Sequence, residues 1–335
     1  MVVRVVERGV AADAGVRSRR MIMNVPITRT PVVLAGLLLT VLLSACSQPS
    51  QEVFDSPEAA IQTLSEVIDQ YDSQRTEQVF GAGSLEMFRS GDPEADYEDF
   101  NRVNEMIKTR VEFEDIDENT KIALFGDAAW PWPIPLVKDA KGWRVVSVTG
   151  KEELLNRRVG YNELWTLTAL HELVEMQREY RSESRDGNPP AYAQRLRSTE
   201  GRHDGLYWQA EDGEEMSPAG KLLAESEVRE DVLKPFHGYY YRLLTSRGEN
   251  APGGEMNYLD ESGLLTRGFG AIAWPAKYGN SGVMTFVVNH QGLVYQKDLG
   301  LETSSAVEKI DSYNPDSSWE PTDDSMIMVV EGVED

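Results

Sequence analysis

The sequence contains a single cysteine, Cys46, and only four histidines among its 335 residues. One cysteine excludes an intrachain disulfide, so the fold must be stabilised by its hydrophobic core. The apolar stretch from Val32 to Leu43 is too short to cross a bilayer as a helix, which needs about 20 residues. The sequence therefore predicts neither a disulfide scaffold nor a membrane-spanning helix at this stretch.

Basic residues are few compared with acidic ones: 33 Lys and Arg stand against 56 Asp and Glu, for a formal net charge of −23. Residues 1–45 carry six arginines and two acidic residues, so the chain after residue 45 is near −27. A polyanion repels phosphate backbones and anionic lipid headgroups, and no basic run offsets that repulsion. We therefore expect no nucleic-acid partner.

The segment that precedes Cys46 resembles the signal peptide of a bacterial lipoprotein. Arg29 supplies a sparse positive region, residues 32–43 form the apolar region, and Leu43-Ser44-Ala45 places small residues directly before the cysteine. In such a lipobox a signal peptidase cuts before the cysteine, whose thiol receives a diacylglycerol. We predict that lipid on Cys46 anchors the chain to a membrane. Ser47, in place of the aspartate that often retains lipoproteins in the inner membrane, favours the outer membrane and a periplasm-facing position.

The order of the elements after this leader (residues 1–45) and a short tether (46–53) indicates an α+β fold, because helices come first and strands follow. Ser56 as N-cap, Pro57 in the first turn and apolar residues at three- and four-residue spacing predict the first helix. Two more helices and an antiparallel meander complete a predicted N-terminal domain of residues 54–155. This arrangement is similar to the cone-shaped NTF2-like folds.

A second domain of residues 156–315 is predicted from a long helix, residues 163–182, followed by strands. Apolar residues cover more than half of the circumference of that helix, so other elements must pack around it. The clearest hairpin signal joins two β-rich runs through Gly292, which can take a positive φ. A helix packed on an antiparallel sheet is similar to the head of a pilin or pseudopilin. Residues 316–335 form a predicted acidic tail.

Six segments, in order along the chain, together resemble the bacterial family called domain of unknown function 2950. The resemblance covers nearly all of the chain after the leader, and the family implies no established activity and no cofactor. The segments are Phe54–Ala60, Ser90–Pro93, Arg157–Leu164, Asp204–Trp208, His237–Tyr240 and Gly279–Phe286.

Three residues could form a nucleophile-activating group if the fold brought them together: His203, Asp204 and His237. An envelope hydrolase is therefore the alternative prediction for this chain. No Gly-x-Ser-x-Gly elbow identifies a serine nucleophile, and Cys46 cannot serve as one if it is lipidated. Turn histidines are the favoured interpretation.

Metal ligands are suggested at three places but predicted at none. His171 and Glu175 are four residues apart on a helix, yet they share the polar face of that helix with other charged residues. The acidic runs at residues 112–118 and 186–188 lack the ligand spacing of a calcium loop. We expect His171 and Glu175 to belong to a solvated, charged helix face, and residues 112–118 to form a charged strand edge. We expect no metal and no cofactor.

Aromatic residues offer the remaining candidate contact surface. The run Trp130-Pro131-Trp132 is extended because of its prolines, and alternation along a strand sends Tyr240 to the opposite face from its neighbours. Tyr207 and Trp208 raise the same possibility in the second domain. The leading hypothesis is a non-enzymatic envelope lipoprotein that binds a protein partner or a glycan through these aromatics.

The lipobox generates a direct prediction. Protein isolated from membranes of its native host should start at Cys46 and carry acyl mass on that residue, because the leader is removed only around an acceptor thiol. A Cys46→Ser variant should retain the leader or be released into the soluble fraction. Intact-mass spectrometry that found an unmodified Cys46 in the mature protein would contradict the prediction.

Overall fold

The computed structural model describes residues 51–70, 72–210, 216–219 and 235–323. Within these ranges six helices and several antiparallel sheets are present, which confirms the predicted α+β class. No helix in the described part of the chain is long and apolar enough to cross a membrane. Cys46, the leader, most of the tether and the end of the acidic tail lie outside the described residues.

The elements are numbered in chain order. The helices are α1 (Pro57–Gln70), α2 (Ser73–Phe80), α3 (Leu85–Phe88), α4 (Pro93–Thr109), α5 (Ser147–Arg181) and α6 (Thr303–Val307). The strands are β1 (Val111–Asp117), β2 (Thr120–Phe125), β3 (Trp130–Pro131), β4 (Leu136–Asp139), β5 (Gly142–Val145), β6 (Arg195–Arg197), β7 (Gly205–Tyr207), β8 (Tyr239–Leu244), β9 (Ser246–Arg247), β10 (Met256–Asn257), β11 (Gly270–Pro275), β12 (Met284–Asn289), β13 (Tyr295–Asp298) and β14 (Glu320–Pro321).

Side-chain caps set the starts of the early helices. Ser56 Oγ accepts a hydrogen bond from Ala59 N at the start of α1, as predicted. Asp72 and Asp92 cap α2 and α4 in the same way. These helices pack on an antiparallel sheet of order β1-β2-β4-β5, with β3 paired to β2. Their shared core includes the fully buried Phe125.

Helix α5 begins 16 residues before the predicted start at residue 163. It is 35 residues long, which corresponds to about 52 Å at 1.5 Å per residue. Its first half gives no start signal, because Val146 provides no capping side chain and both Gly150 and Gly160 interrupt the pattern. The apolar side chains Leu155 and Val159 are half-buried there rather than part of a wide stripe.

Helix α5 contributes to both halves of the fold. Gly150 lies against the backbone of Pro133 and Ile134 in the first half, whereas Leu170 and Leu173 are buried in the core of the second. The helix therefore runs through residue 155, where the boundary between two domains was predicted. The described residues from 51 onward belong to one compact unit, and the predicted domain bounds stay predictions.

The second large sheet is antiparallel with the order β14-β13-β12-β11-β8. One face, including Ala271 and Phe286, packs on α5. The other face is covered by α6 and the segment that follows it, through a smaller core that includes Val307 and Tyr313. The hairpin between β12 and β13 has Gly292 at φ +92°, which confirms the predicted turn.

The close approach of α5 to the segment between β3 and β4 predicts opposite effects of two alanine substitutions in one helix. In Gly150→Ala, the new Cβ would lie 2.5 Å from Pro133 O and 2.7 Å from Ile134 Cα, and backbone atoms cannot easily move. We expect the free energy of unfolding to fall by about 1–3 kcal/mol.

Gly160→Ala is the matched control, because nothing lies within 4 Å of its added Cβ. Alanine favours a helix over glycine, so stability should rise by about 0.5–1 kcal/mol. Urea denaturation of both variants measures the difference. Equal effects would show that the helix does not approach the backbone of Pro133 and Ile134 at Gly150.

Candidate functional site

Four of the six family segments meet at one place near the middle of α5. Asn162 Nδ2 donates a hydrogen bond to Ser281 O at 2.8 Å. Gly238 N donates to Asp92 Oδ2 at 3.2 Å. These bonds join α4, α5, β8 and the turn before β12, and we call this set of contacts the junction.

Arg158 connects the junction to the first half of the chain. Its Nη1 donates to Asn280 Oδ1 at 2.6 Å, and its Nη2 donates to Met87 O at 2.8 Å. Burial lowers the pKa of Arg158 from its usual value, with Asp96 and Asp99 opposing that effect. The guanidinium thus holds three chain segments together inside the fold.

Glu163 also joins α5 to another segment of the chain, the start of β12. Its Oε1 accepts hydrogen bonds from Val283 N at 2.9 Å and Met284 N at 3.0 Å. Tyr239 Oη donates to Met284 O at 2.9 Å, and a Cβ at Gly282 would lie 2.0 Å from that hydroxyl. Polar side chains at the junction are thus largely engaged with backbone groups, as expected of a structural cluster.

His237 lies at the edge of the junction with a left-handed backbone, φ +46°. Its ring stacks on Trp165 with centroids 4.4 Å apart and planes 9° apart, and Phe236 packs edge-on at 4.4 Å. Burial lowers the pKa of His237 to about 4, against an opposing effect of Asp92. The ring is therefore neutral at pH 7.

His203 lies at the far end of α5. Tyr180 Oη donates to His203 O at 2.5 Å, and His203 N donates to Asp186 Oδ2 at 2.9 Å. Tyr180 follows Trp165, the residue against which His237 stacks, by 15 positions in the helix, a separation of about 22 Å along its axis. The two histidines therefore do not form one site.

A polar cavity of about 280 Å³ opens beside His203, between the end of α5 and the strands β6 and β7. We call it the end pocket. Its polar and aromatic lining residues are Tyr180, Glu183, Arg185, Asp186, Asn188, Tyr192, Gln194, Arg195, Arg202 and Asp204.

Arg185 forms one wall of the end pocket. It is 8% exposed, and its guanidinium carbon lies 5.1 Å from the ring centres of both Tyr180 and Trp208. Its Nε donates to Tyr180 O at 3.4 Å. A cation held between two aromatic faces loses little entropy when it forms further hydrogen bonds, so the wall is preorganised.

Asp204 is the best-defined acid of the end pocket. Burial works against its charged form, but hydrogen bonds from Thr199 N and Oγ1 and the charge of Arg195 outweigh burial and lower the pKa of Asp204. The carboxylate is therefore ionised at neutral pH and accepts hydrogen bonds. The rings of His203 and Trp208 lie 4.6 Å apart behind it.

Two of the five aromatic residues predicted to form a contact surface are buried instead. Trp132 is 5% exposed and Trp208 is 7% exposed, so both belong to the cores rather than to a contact face. Trp130, Tyr207 and Tyr240 are half-buried, as predicted contact residues could be. Each already contacts a neighbour: Arg157 for Trp130, Arg197 for Tyr207 and Trp274 for Tyr240.

The acidic side chains considered as metal ligands have other partners. Glu175 forms an ion pair with Arg178, and Asp115 forms one with Lys121. Across the described ranges, no group of three His, Cys, Asp or Glu residues could hold a metal ion.

The stack of His237 on Trp165 was not predicted from the sequence. Tyr161 and Trp165 are four residues apart on α5, which is a helical signal, but their contact with a residue more than 70 positions away has no local signature. Arg185 was missed as well, since it lies in a segment that predicts only the end of a helix.

The fold and the site define an α+β protein in which two antiparallel sheets share one long helix, with a polar pocket at the end of that helix. Residues 51–322 match the model of the family described as "Protein of unknown function (DUF2950)", and the chain belongs to this family. No curated protein and no solved structure matches the chain. The likenesses to pilin heads and to NTF2-like folds stay predictions.

His237 generates a pH prediction. Its folded pKa of about 4 lies below the usual 6.5, so its contribution to stability is present above pH 6.5 and is lost as the pH falls towards 4. In the variant His237→Asn, asparagine can adopt the left-handed backbone conformation, but the titrating imidazole is removed. The wild-type advantage over the variant should shrink by roughly 1–3 kcal/mol between pH 7 and pH 4.

Denaturant unfolding of both proteins at several pH values measures this difference. Asp96 and Asp99, whose pKa values burial raises, titrate in both proteins and cancel to first order in the comparison. A pH-independent difference would show that His237 is not buried in its neutral form.

Proposed function

We propose that this protein is a lipid-anchored envelope protein that binds a glycan in the end pocket without catalysing a reaction. The anchor is lipid on Cys46, with the outer membrane as its location and the periplasm as its compartment. The lipobox around Cys46 supports the anchor. The charge balance of the end pocket carries the proposal of a glycan.

The end pocket is close to neutral in a chain whose net charge is −23. Its charged lining residues are three arginines and three acids: Arg185, Arg195, Arg202, Glu183, Asp186 and Asp204. Such a set offers donors and acceptors in similar number and no net charge. An uncharged, hydroxyl-rich ligand satisfies both kinds of group at once, whereas a polyanion or a polycation would satisfy only one.

The size and the walls of the end pocket also suit a saccharide. A volume of about 280 Å³ is at the lower limit for small-molecule sites and holds a unit of about one sugar ring. Tyr180 and Tyr192 add aromatic surface, and Asn188 and Gln194 add amides, which both donate and accept. Three of these four side chains come from the loop after α5.

Binding without reaction is favoured by the chemistry of the lining. Cleavage of a glycosidic bond requires a carboxylic acid with a raised pKa, and the pKa of Asp204 is lowered instead. Among the described residues that line the end pocket there is no serine, threonine or cysteine to act as the nucleophile of an ester or amide hydrolase. The leading hypothesis from the sequence also allowed a protein partner. The binding experiment with purified cell-wall glycan distinguishes that partner from a glycan.

We expect the mature protein to co-sediment with purified cell-wall glycan and to bind soluble fragments of it. Arg202→Ala and Asn188→Ala should each weaken binding about tenfold, since the loss of one ligand hydrogen bond costs about 1–1.5 kcal/mol. Both side chains lie at the exposed rim of the pocket, so neither change should unfold the protein. Isothermal titration calorimetry measures the affinities.

Arg178→Ala is the control, because Arg178 is exposed near the end of α5 but does not line the end pocket. Its affinity should equal that of the wild type. Release of new reducing ends from the glycan would contradict the non-catalytic part of the proposal. No glycan retention, together with a protein recovered by cross-linking through Arg202, would favour a protein partner instead.

A further inference from the structure

The described chain is fixed to the fold from its first residues. Gln51 Nε2 donates hydrogen bonds to Val79 O at 3.0 Å and to Val145 O at 2.5 Å. Phe54 and Trp143 exchange two backbone hydrogen bonds of 2.8 Å. The first described residue, Gln51, therefore lies next to β5, the strand that precedes α5.

The length of the chain between Gln51 and Cys46 limits the distance between the fold and a lipid on Cys46. Five residues reach at most about 18 Å when fully extended. The surface around Gln51 must then stay within that distance of the bilayer that holds the acyl chains. This step rests on the anchor given under the proposed function.

Exposed apolar side chains occur at this place. Val148, three residues after Val145, is 86% exposed, and Val53 is 36% exposed. One helical face continues from Val148 to the half-buried Leu155 and lines an open groove of about 370 Å³. Apolar side chains of this kind gain free energy when they enter the headgroup region of a membrane.

Local charge at this surface does not oppose contact with a membrane. Lys151 and Glu152 line the groove, and Arg75 forms an ion pair of 2.8 Å with Glu52. The sum of these charges is zero, although the whole chain is strongly acidic. Repulsion from anionic headgroups is therefore weaker here than at acidic surfaces such as the edge strand β1.

We propose that the anchor face, formed by Gln51, Val53, Val148, Lys151 and Leu155, lies against the bilayer that carries the lipid on Cys46. Val148 enters the headgroup region. The occupant of this apolar surface is lipid, and neither a second copy of the chain nor a partner protein covers it.

A fluorescent label tests this contact in the acylated, full-length mature protein reconstituted in phosphatidylethanolamine–phosphatidylglycerol vesicles. Cys46 carries lipid, so Val148→Cys provides the only free thiol for an environment-sensitive nitrobenzoxadiazole dye. The emission should shift to the blue on reconstitution, and lipids with a nitroxide near the headgroup should quench it at least twofold. Val148 is mostly exposed, so the substitution should leave the fold intact.

Leu301→Cys is the matched control, because Leu301 is 88% exposed and lies just before α6, in the second half of the fold. Its label should show neither the shift nor the quenching. Equal behaviour of the two labels on acylated protein would overturn the anchor face while leaving the anchor intact. A blue shift at residue 148 without quenching would show a protein on this surface and would also overturn it. Intact mass that shows an unmodified Cys46 would overturn both proposals.

Discussion

The packing of helix α5 against both halves of the fold is the constraint on which the rest of the structure depends. The first half of the helix approaches the segment between β3 and β4 so closely that an added Cβ at residue 150 would meet backbone atoms of Pro133 and Ile134. The second half buries Leu170 and Leu173 under the second sheet. One continuous helix thus sets the position of one half of the fold relative to the other, because neither half can move without losing its contacts with α5.

The junction adds specificity to this packing. Buried polar groups contribute little net stability on their own, but they disfavour every arrangement in which their partners are absent. Arg158, Asn162 and Glu163 lie within six consecutive residues of α5 and bind backbone or amide groups from both halves of the chain. A shift of the helix by one turn would leave all three without these partners. The junction therefore fixes the register of α5 relative to both halves of the chain.

Capping residues, prolines and turn glycines predicted the elements whose ends depend on neighbouring residues in the sequence. The starts of α1 and α4 follow from Ser56, Asp92 and the prolines after them, and the hairpin at Gly292 follows from its turn residue. The first 16 residues of α5 contain good helix formers, such as the run from Lys151 to Arg158, but they carry no clear start signal, because Val146 provides no capping side chain. The burial of Trp132 and Trp208 could not be predicted either. The sequence does not distinguish a tryptophan that packs in a core from one that faces solvent. The end pocket joins residues from three separate segments, and Asp204 is the one lining residue that was predicted as a candidate catalytic residue.

The proposed anchor face and the end pocket lie far apart along α5. From Val148 on the anchor face to Tyr180 in the end pocket, α5 rises about 48 Å, which exceeds the thickness of a small domain. A flexible linker of that reach would spread the pocket over a large volume and reduce its effective concentration at any one target. A continuous helix that packs on both halves of the fold instead sets the distance between the end pocket and the proposed anchor face. Such a spacer suits a ligand that is itself held in place within the envelope, as a cell-wall glycan is.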